Sequence, residues 1–122
     1  MKFKEITVCG TPYERGLTYG RLCREEIGVS IRVYQMLFDG LKGIAWEEAR
    51  RIAEKYLYLT RDFEPDYAEE IRGIAEGAEV DLLDIAALNA RTEIMYSQVS
   101  KGDVSECTTI SLTPPATEGG RV

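Results

Sequence analysis

A cysteine near the end of the chain is the residue best placed for covalent chemistry. Cys107 opens the alternating stretch Cys107-Thr108-Thr109, four residues after the polar loop segment Lys101-Gly102-Asp103. The sequence contains no histidine, so neither a Cys-His nor a Ser-His pair can form within it. A cysteine can act without histidine if the chain is cut immediately before it. The freed α-amine then titrates near neutrality and can accept the thiol proton.

The same cysteine has a second interpretation as a small buried apolar residue, the ordinary role of a thiol at a strand start. On that interpretation the helices described below form a non-enzymatic interaction or oligomerisation module with a structural Cys107. Cys9 and Cys23 are predicted to be buried and inert. Three cysteines without CxxC spacing, in a chain lacking histidine, argue against a disulfide framework and against any metal site.

Charge and composition restrict the partners. Apolar residues make up 44% and charged residues 30% of the 122 positions, as in ordinary globular proteins. The net charge of −6 would repel nucleic-acid phosphates and anionic lipids, so neither nucleic acid nor membrane is an expected partner. No signal-peptide core or membrane-spanning stretch is present, and a cytoplasmic location is expected.

The elements that must position Cys107 begin with a predicted short strand at residues 4–9, broken by Gly10. Thr11 as N-cap, Pro12 and Glu14 then form a capping-box start for a helix that extends past Leu37. Gly40 and Gly43 are expected to end it. On this helix Gly16 and Gly20 share a face, and either simple tolerance or close approach of another backbone explains them.

Three further helices are expected before the cysteine. The second covers residues 46–61, and its apolar stripe contains Ile52, Tyr56 and Leu59. The third begins near Pro65 and the fourth at Asp81, running to about Met95. The third helix is predicted to bury one apolar stripe: Tyr67, Ile71, Ile74, Ala75 and Ala78.

The last residues are predicted to form β-structure. Residues 107–112 alternate as a strand, residues 113–120 form a turn, and Arg121-Val122 opens a returning strand. The predicted fold class is therefore α+β, with about four helices, a short first strand and the start of a hairpin. A hairpin whose second strand has barely begun is not a natural domain end, so further protein is expected to follow.

Four collinear blocks resemble one known family. They are residues 10–16 with Gly20, residues 69–78, residues 88–93, and Cys107-Thr108-Thr109. Their order and separations resemble the amino-terminal part of the acyl-coenzyme A:6-aminopenicillanic acid acyltransferases, also called isopenicillin N acyltransferases, which are N-terminal-nucleophile (Ntn) hydrolases. The resemblance covers nearly the whole chain.

That resemblance implies a precursor with an αββα sandwich, cut between Glu106 and Cys107. Residues 1–106 would be the helical small subunit, and residues 107–122 the truncated start of the catalytic domain. The mature enzyme would cleave an amide through an acyl-cysteine and pass the acyl group to water or an amine. Glu106 departs from the glycine of the fungal enzyme, which puts the rate of self-cleavage in doubt. The family's other active-site residues would follow Val122, so this chain alone is expected to be inactive.

The resemblance also sets the expected ligands and partners. They are a small-molecule amide or acyl donor and the remaining catalytic portion of the precursor. Separately, the isolated helices are expected to expose apolar surface and therefore to self-associate. No cofactor is implied, although acyl-coenzyme A is a candidate substrate. Arg91 and Glu93, late in the fourth helix, are weak candidates for substrate binding, and a solvated or locally paired role is the alternative.

Overall fold

The computed structural model describes residues 4–96, which form six helices connected by short turns. In chain order these are α1 (Pro12–Leu22), α2 (Arg24–Lys42), α3 (Trp46–Phe63), α4 (Pro65–Ala78), α5 (Leu82–Asn89) and α6 (Arg91–Tyr96). None of these helices is long and apolar enough to cross a membrane.

The predicted helix starts are confirmed. In the capping box of α1, the Thr11 hydroxyl accepts from the Glu14 amide at 3.3 Å and the Glu14 carboxylate accepts from the Thr11 amide at 2.9 Å. The Thr11 amide also lowers the pKa of the Glu14 carboxyl. Pro65 opens α4, and the carboxylate of Asp81 caps α5 by accepting from the Leu83 amide at 2.8 Å.

The strand predicted for residues 4–9 is wrong. These residues form neither helix nor strand, and Ile6 packs against the helices as a partly buried side chain. A strand needs a partner for its backbone groups, and the described residues supply none. The α+β assignment is therefore overturned by the all-helical structure of residues 4–96. The predicted hairpin at residues 107–122 lies outside that range.

Two helices predicted to be continuous are divided. The first breaks at Cys23, with φ −110° and ψ 19°, and the fourth breaks at Ala90, with φ −89° and ψ 18°. Neither position carries glycine or proline, so the sequence gives no local signal for a break. Both residues are buried, 6% and 5% exposed, and packing against the core redirects the chain.

Helix ends follow the sequence in one case and depart from it in another. Gly43 ends α2 in the left-handed region at φ 63°, as its glycine predicts. Glu79 ends α4 in the same region at φ 57°, which is unusual for a residue with a side chain. Its carboxylate pairs with the Arg24 guanidinium at 2.6 Å, which ties this turn to the start of α2.

Helices α1 and α4 cross with their backbones in contact, through Gly16 and Gly20 on one helix and Gly73 and Gly77 on the other. A Cβ added at Gly16 would lie 2.9 Å from the Ile74 nitrogen, and one at Gly73 would lie 2.8 Å from the Leu17 nitrogen. Contacts advance along both helices together, so the two run parallel. We call this four-glycine contact the glycine crossing; it confirms the close approach considered for Gly16 and Gly20.

Polar contacts fasten the rims of this crossing. The Arg15 guanidinium donates to the Glu70 carboxylate at 2.6 and 3.2 Å, across two partly buried side chains. The Arg72 guanidinium lies 4.3 Å from the centre of the Tyr13 ring. A hydrogen bond to the Glu76 carboxylate raises the pKa of the Tyr13 hydroxyl.

The apolar core has two clusters that share Trp46. In one, Phe38 is fully buried and stacks on Trp46 at 6.0 Å between ring centres. The other joins α2, α4 and α5 around buried Cys23, Ile27, Ile31, Ala75, Ala78 and Ile85. Two residues that were predicted to face the core are exposed instead: Tyr67 is 60% exposed and Leu59 is 62% exposed. Both lie near the α3–α4 turn, beyond the reach of these clusters.

Candidate functional site

The predicted nucleophile and cleavage position, Cys107 and Glu106, lie outside the described residues. What the structure places is the helical body that precedes them and the two weak candidates on α6. Among residues 4–96, no group of histidine, cysteine, aspartate and glutamate has the arrangement of a metal site.

Arg91 is the first candidate that the structure places. It opens α6, its side chain is exposed, and its Nη1 donates to the Leu88 carbonyl at 2.9 Å. It borders a groove of about 350 Å³ lined by apolar residues, such as Ile74 and Ile85, and by polar ones, such as Glu70. A cation beside apolar side chains can receive the acidic end of an amphipathic ligand or peptide.

Glu93 borders a different groove of about 100 Å³, between Tyr56 of α3 and Ile71 of α4. Two residues along a helix turn the side chains by about 200°, so Arg91 and Glu93 point to opposite sides of α6. The structure therefore does not bring them into one site. A joint role of the two in one acyl pocket is not supported within the described residues.

A further groove, of about 380 Å³, lies between α3, α4 and α5, and no sequence motif predicted it. Leu57, Leu82 and Leu83 line it, with the guanidinium groups of Arg61 and Arg72 at the rim. Arg72 donates to Glu69 at 2.6 Å, and Arg61 lies 4.9 Å from the Tyr58 ring centre. Because both cations are already engaged, this groove is better suited to apolar contacts than to anion capture.

A charged cluster fixes the start of α5 to the first turn of α3. The carboxylate of Asp84 accepts from the Trp46 indole at 2.9 Å, and the Arg50 Nη2 lies 2.9 Å from Asp81. The Nε of Arg50 is buried without a hydrogen bond, 3.6 Å from Asp84. This cluster holds α5, and through it α6, in a fixed direction; its role is positional.

The two cysteines outside the predicted site behave differently from each other. Cys23 is buried, as predicted, and its neighbour Tyr19 has its hydroxyl pKa raised by burial and by the thiol. Cys9 is exposed, which corrects the prediction that it is buried. Cys9 lies in the segment before α1 that forms neither helix nor strand, where Ile6 is packed but Cys9 is left in solvent.

Comparison with known proteins adds to this geometry. No protein-family model matches the chain. The acyl-coenzyme A:6-aminopenicillanic-acid-acyltransferase 40 kDa form of Emericella nidulans is 34% identical over 110 residues, which are 90% of this chain and 30% of that protein. The chain thus spans less than a third of this relative. The match confirms the resemblance predicted from the sequence: over nine-tenths of its length, this chain is similar to an acyl-coenzyme A:6-aminopenicillanic-acid-acyltransferase.

Proposed function

We propose that this chain is part of an autoprocessing cysteine Ntn amidohydrolase or acyltransferase in which Cys107 is the nucleophile. The observation that carries the proposal is the 34% identity to an acyltransferase over nine-tenths of the chain. An Ntn cysteine uses its own α-amine as the base, so the proposed chemistry requires no histidine from these 122 residues. The name of the relative makes acyl-coenzyme A and an amine such as 6-aminopenicillanic acid the first donor and acceptor to examine.

The processing step is an intramolecular acyl transfer. The Cys107 thiol attacks the Glu106 carbonyl carbon, the peptide C–N bond breaks, and the α-nitrogen takes up the proton. A thioester between Glu106 and Cys107 results. Water then hydrolyses it, leaving a Glu106 carboxylate and a Cys107 with a free α-amine and thiol. Glycine at position 106 would enter strained backbone angles more easily than glutamate, so we expect Glu106 to slow this step.

The mature cycle reuses the same sulfur. The α-amine takes the thiol proton, the thiolate attacks the substrate carbonyl, and the departing amine or coenzyme A thiolate takes that proton away. The acyl-cysteine is then attacked by water in a hydrolase or by an amine in a transferase. In either case the acyl group leaves and the thiol is regenerated.

The helical body supplies the framework before the nucleophile in this proposal. Its fixed elements are the glycine crossing, which locks α1 to α4, and the Arg50 cluster, which directs α5 and α6. Arg91 borders a groove of about 350 Å³ that includes the apolar residues Ile74 and Ile85, and it is the better of the two α6 candidates for contact with an acyl group or its carrier. The protein is proposed to act in the cytoplasm.

The test is a set of cysteine variants in the full-length protein. Cys107→Ala should abolish processing and activity together, whereas Cys107→Ser should process slowly and turn over little substrate. Cys9→Ala and Cys23→Ala are the matched controls and should retain both. Activity is measured as thiol release from acyl-coenzyme A and as amine release from small acyl amides. Full activity in Cys107→Ala would refute the mechanism.

A further inference from the structure

The turn between α3 and α4 exposes three large apolar side chains. A single residue, Glu64, joins the two helices. Phe63 is 88% exposed, Leu59 62% and Tyr67 60%. We call these three residues the apolar corner. Single exposed apolar residues are common on protein surfaces, but three around one turn require an explanation.

The apolar corner continues two stripes that are buried elsewhere. On α3, Ile52 and Tyr56 pack against the core, and Leu59 and Phe63 follow them at helical spacing. On α4, Ile71 packs against the second cluster, and Tyr67 precedes it by one turn. Tyr56 and Ile71 line the same groove beside Glu93. The corner is therefore an extension of a core surface rather than a set of scattered side chains.

Apart from Arg61, whose guanidinium lies 4.9 Å from the Tyr58 ring centre, the charges at this turn are acidic. Asp62, Glu64 and Asp66 surround the turn, and Glu93 borders the adjoining groove. Within residues 4–96 none of these four carboxylates has an ion-pair partner, since the described bridges all involve other acids. Two copies of the chain meeting here would place carboxylates against carboxylates, which disfavours a second copy as the occupant.

We propose that the apolar corner docks the catalytic portion of the longer protein, through an apolar patch edged by lysine or arginine. This inference rests on the proposed function, which makes residues 4–96 the helical part of a larger precursor. The related acyltransferase has more than twice as much sequence outside the matched region as within it, which is ample to supply such a patch. The docked face would be continuous with the core at Tyr56 and Ile71.

The experiment compares one substitution in two lengths of protein. Phe63→Ser is introduced into the 122-residue chain and into the full-length protein, and the melting temperature of each is measured. In the short chain Phe63 contacts solvent, so no measurable change is expected. In the full-length protein a loss of about 5 °C or more is expected. Met36→Ser is the matched control, because Met36 is 68% exposed and lies about 200° around α2 from buried Phe38; it should change neither protein.

The acidic residues at the α3–α4 turn provide a second test of the proposal. Asp66→Lys in the full-length protein should lower the melting temperature at low salt, and the difference should shrink in high salt as screening weakens the contact. Equal melting temperatures for Phe63→Ser and the parent full-length protein would overturn the proposal. So would self-association of the short chain that Phe63→Ser abolishes, because it would assign the corner to a second copy. Neither result touches the Cys107 variants, so failure here is distinguishable from failure of the proposed function.

Discussion

The glycine crossing and the apolar corner both include residues of α4, but the crossing is packed against another helix and the corner is exposed to solvent. At Gly73 and Gly77, α1 approaches so closely that a single methyl group has no room. Six residues before Gly73, Tyr67 is 60% exposed, and the neighbouring Phe63 of α3 is 88% exposed. The comparison teaches that one end of α4 is completed by contacts within the described chain, whereas the other presents a core-like surface for something else.

The largest loss of stability is expected for Phe38, the buried phenylalanine that contrasts with exposed Phe63. Phe38→Ala removes a fully buried ring from the core and should lower the free energy of unfolding of the 122-residue chain by about 3–5 kcal/mol. Phe63→Ala in the same chain should change it by less than about 0.5 kcal/mol. Urea denaturation measures both. A large loss for Phe63→Ala would mean that the corner is already packed in this chain.

The next effect concerns the crossing itself. Gly73→Ala places a Cβ 2.8 Å from the Leu17 nitrogen, so α1 and α4 must separate, at a cost of about 1–3 kcal/mol. Gly40→Ala is the matched control, since a Cβ there meets nothing within 4 Å, and it should stabilise α2 by about 0.5–1 kcal/mol. Thermal unfolding distinguishes the two by sign. If both variants were stabilised, the backbone contact would be disproved.

A smaller, pH-dependent effect is expected at the start of α5. The hydrogen bond from the Leu83 amide lowers the folded-state pKa of the Asp81 carboxyl, and the Arg50 guanidinium lowers this pKa further. A carboxyl with a lowered folded-state pKa stabilises the fold at any pH above its unfolded-state pKa of about 3.9. This stabilisation is lost as the pH falls through the folded-state pKa. Asp81→Ala should therefore cost about 1 kcal/mol at pH 7 through the lost cap, and the difference from the parent should narrow below about pH 4. A difference independent of pH would exclude the ionised carboxylate as its source.

The sequence predicted those parts of the fold whose signals are local. The capping box at Thr11, the proline at position 65, the aspartate cap at position 81 and the glycine end at position 43 each carry their own hydrogen bonds or backbone angle. These four starts and stops were all confirmed. The pairing of glycines four residues apart also anticipated the close approach of a second helix, though not which helix it would be.

Tertiary context decided the rest. No local sequence signal accounts for the helix breaks at Cys23 and Ala90 or for the left-handed backbone of Glu79. The segment at residues 4–9 was mistaken for a strand because an alternating sequence does not by itself supply a pairing partner. The helical phase of Arg91 and Glu93 could have shown that they face apart, because both were already predicted to lie on one helix, two residues apart. The grooves beside them depend on the meeting of helices distant in sequence, which no single segment predicts.

The measurement that tests the central claim most directly is the amino-terminal residue of the larger fragment of the full-length protein. Purified protein is separated under denaturing conditions, and each fragment is sequenced chemically and weighed. We predict two fragments, the smaller ending at Glu106 and the larger beginning with Cys107. A larger fragment beginning at any other residue, or a fully active protein that remains one uncut chain, would contradict the assignment of Cys107 as both the cleaving group and the nucleophile.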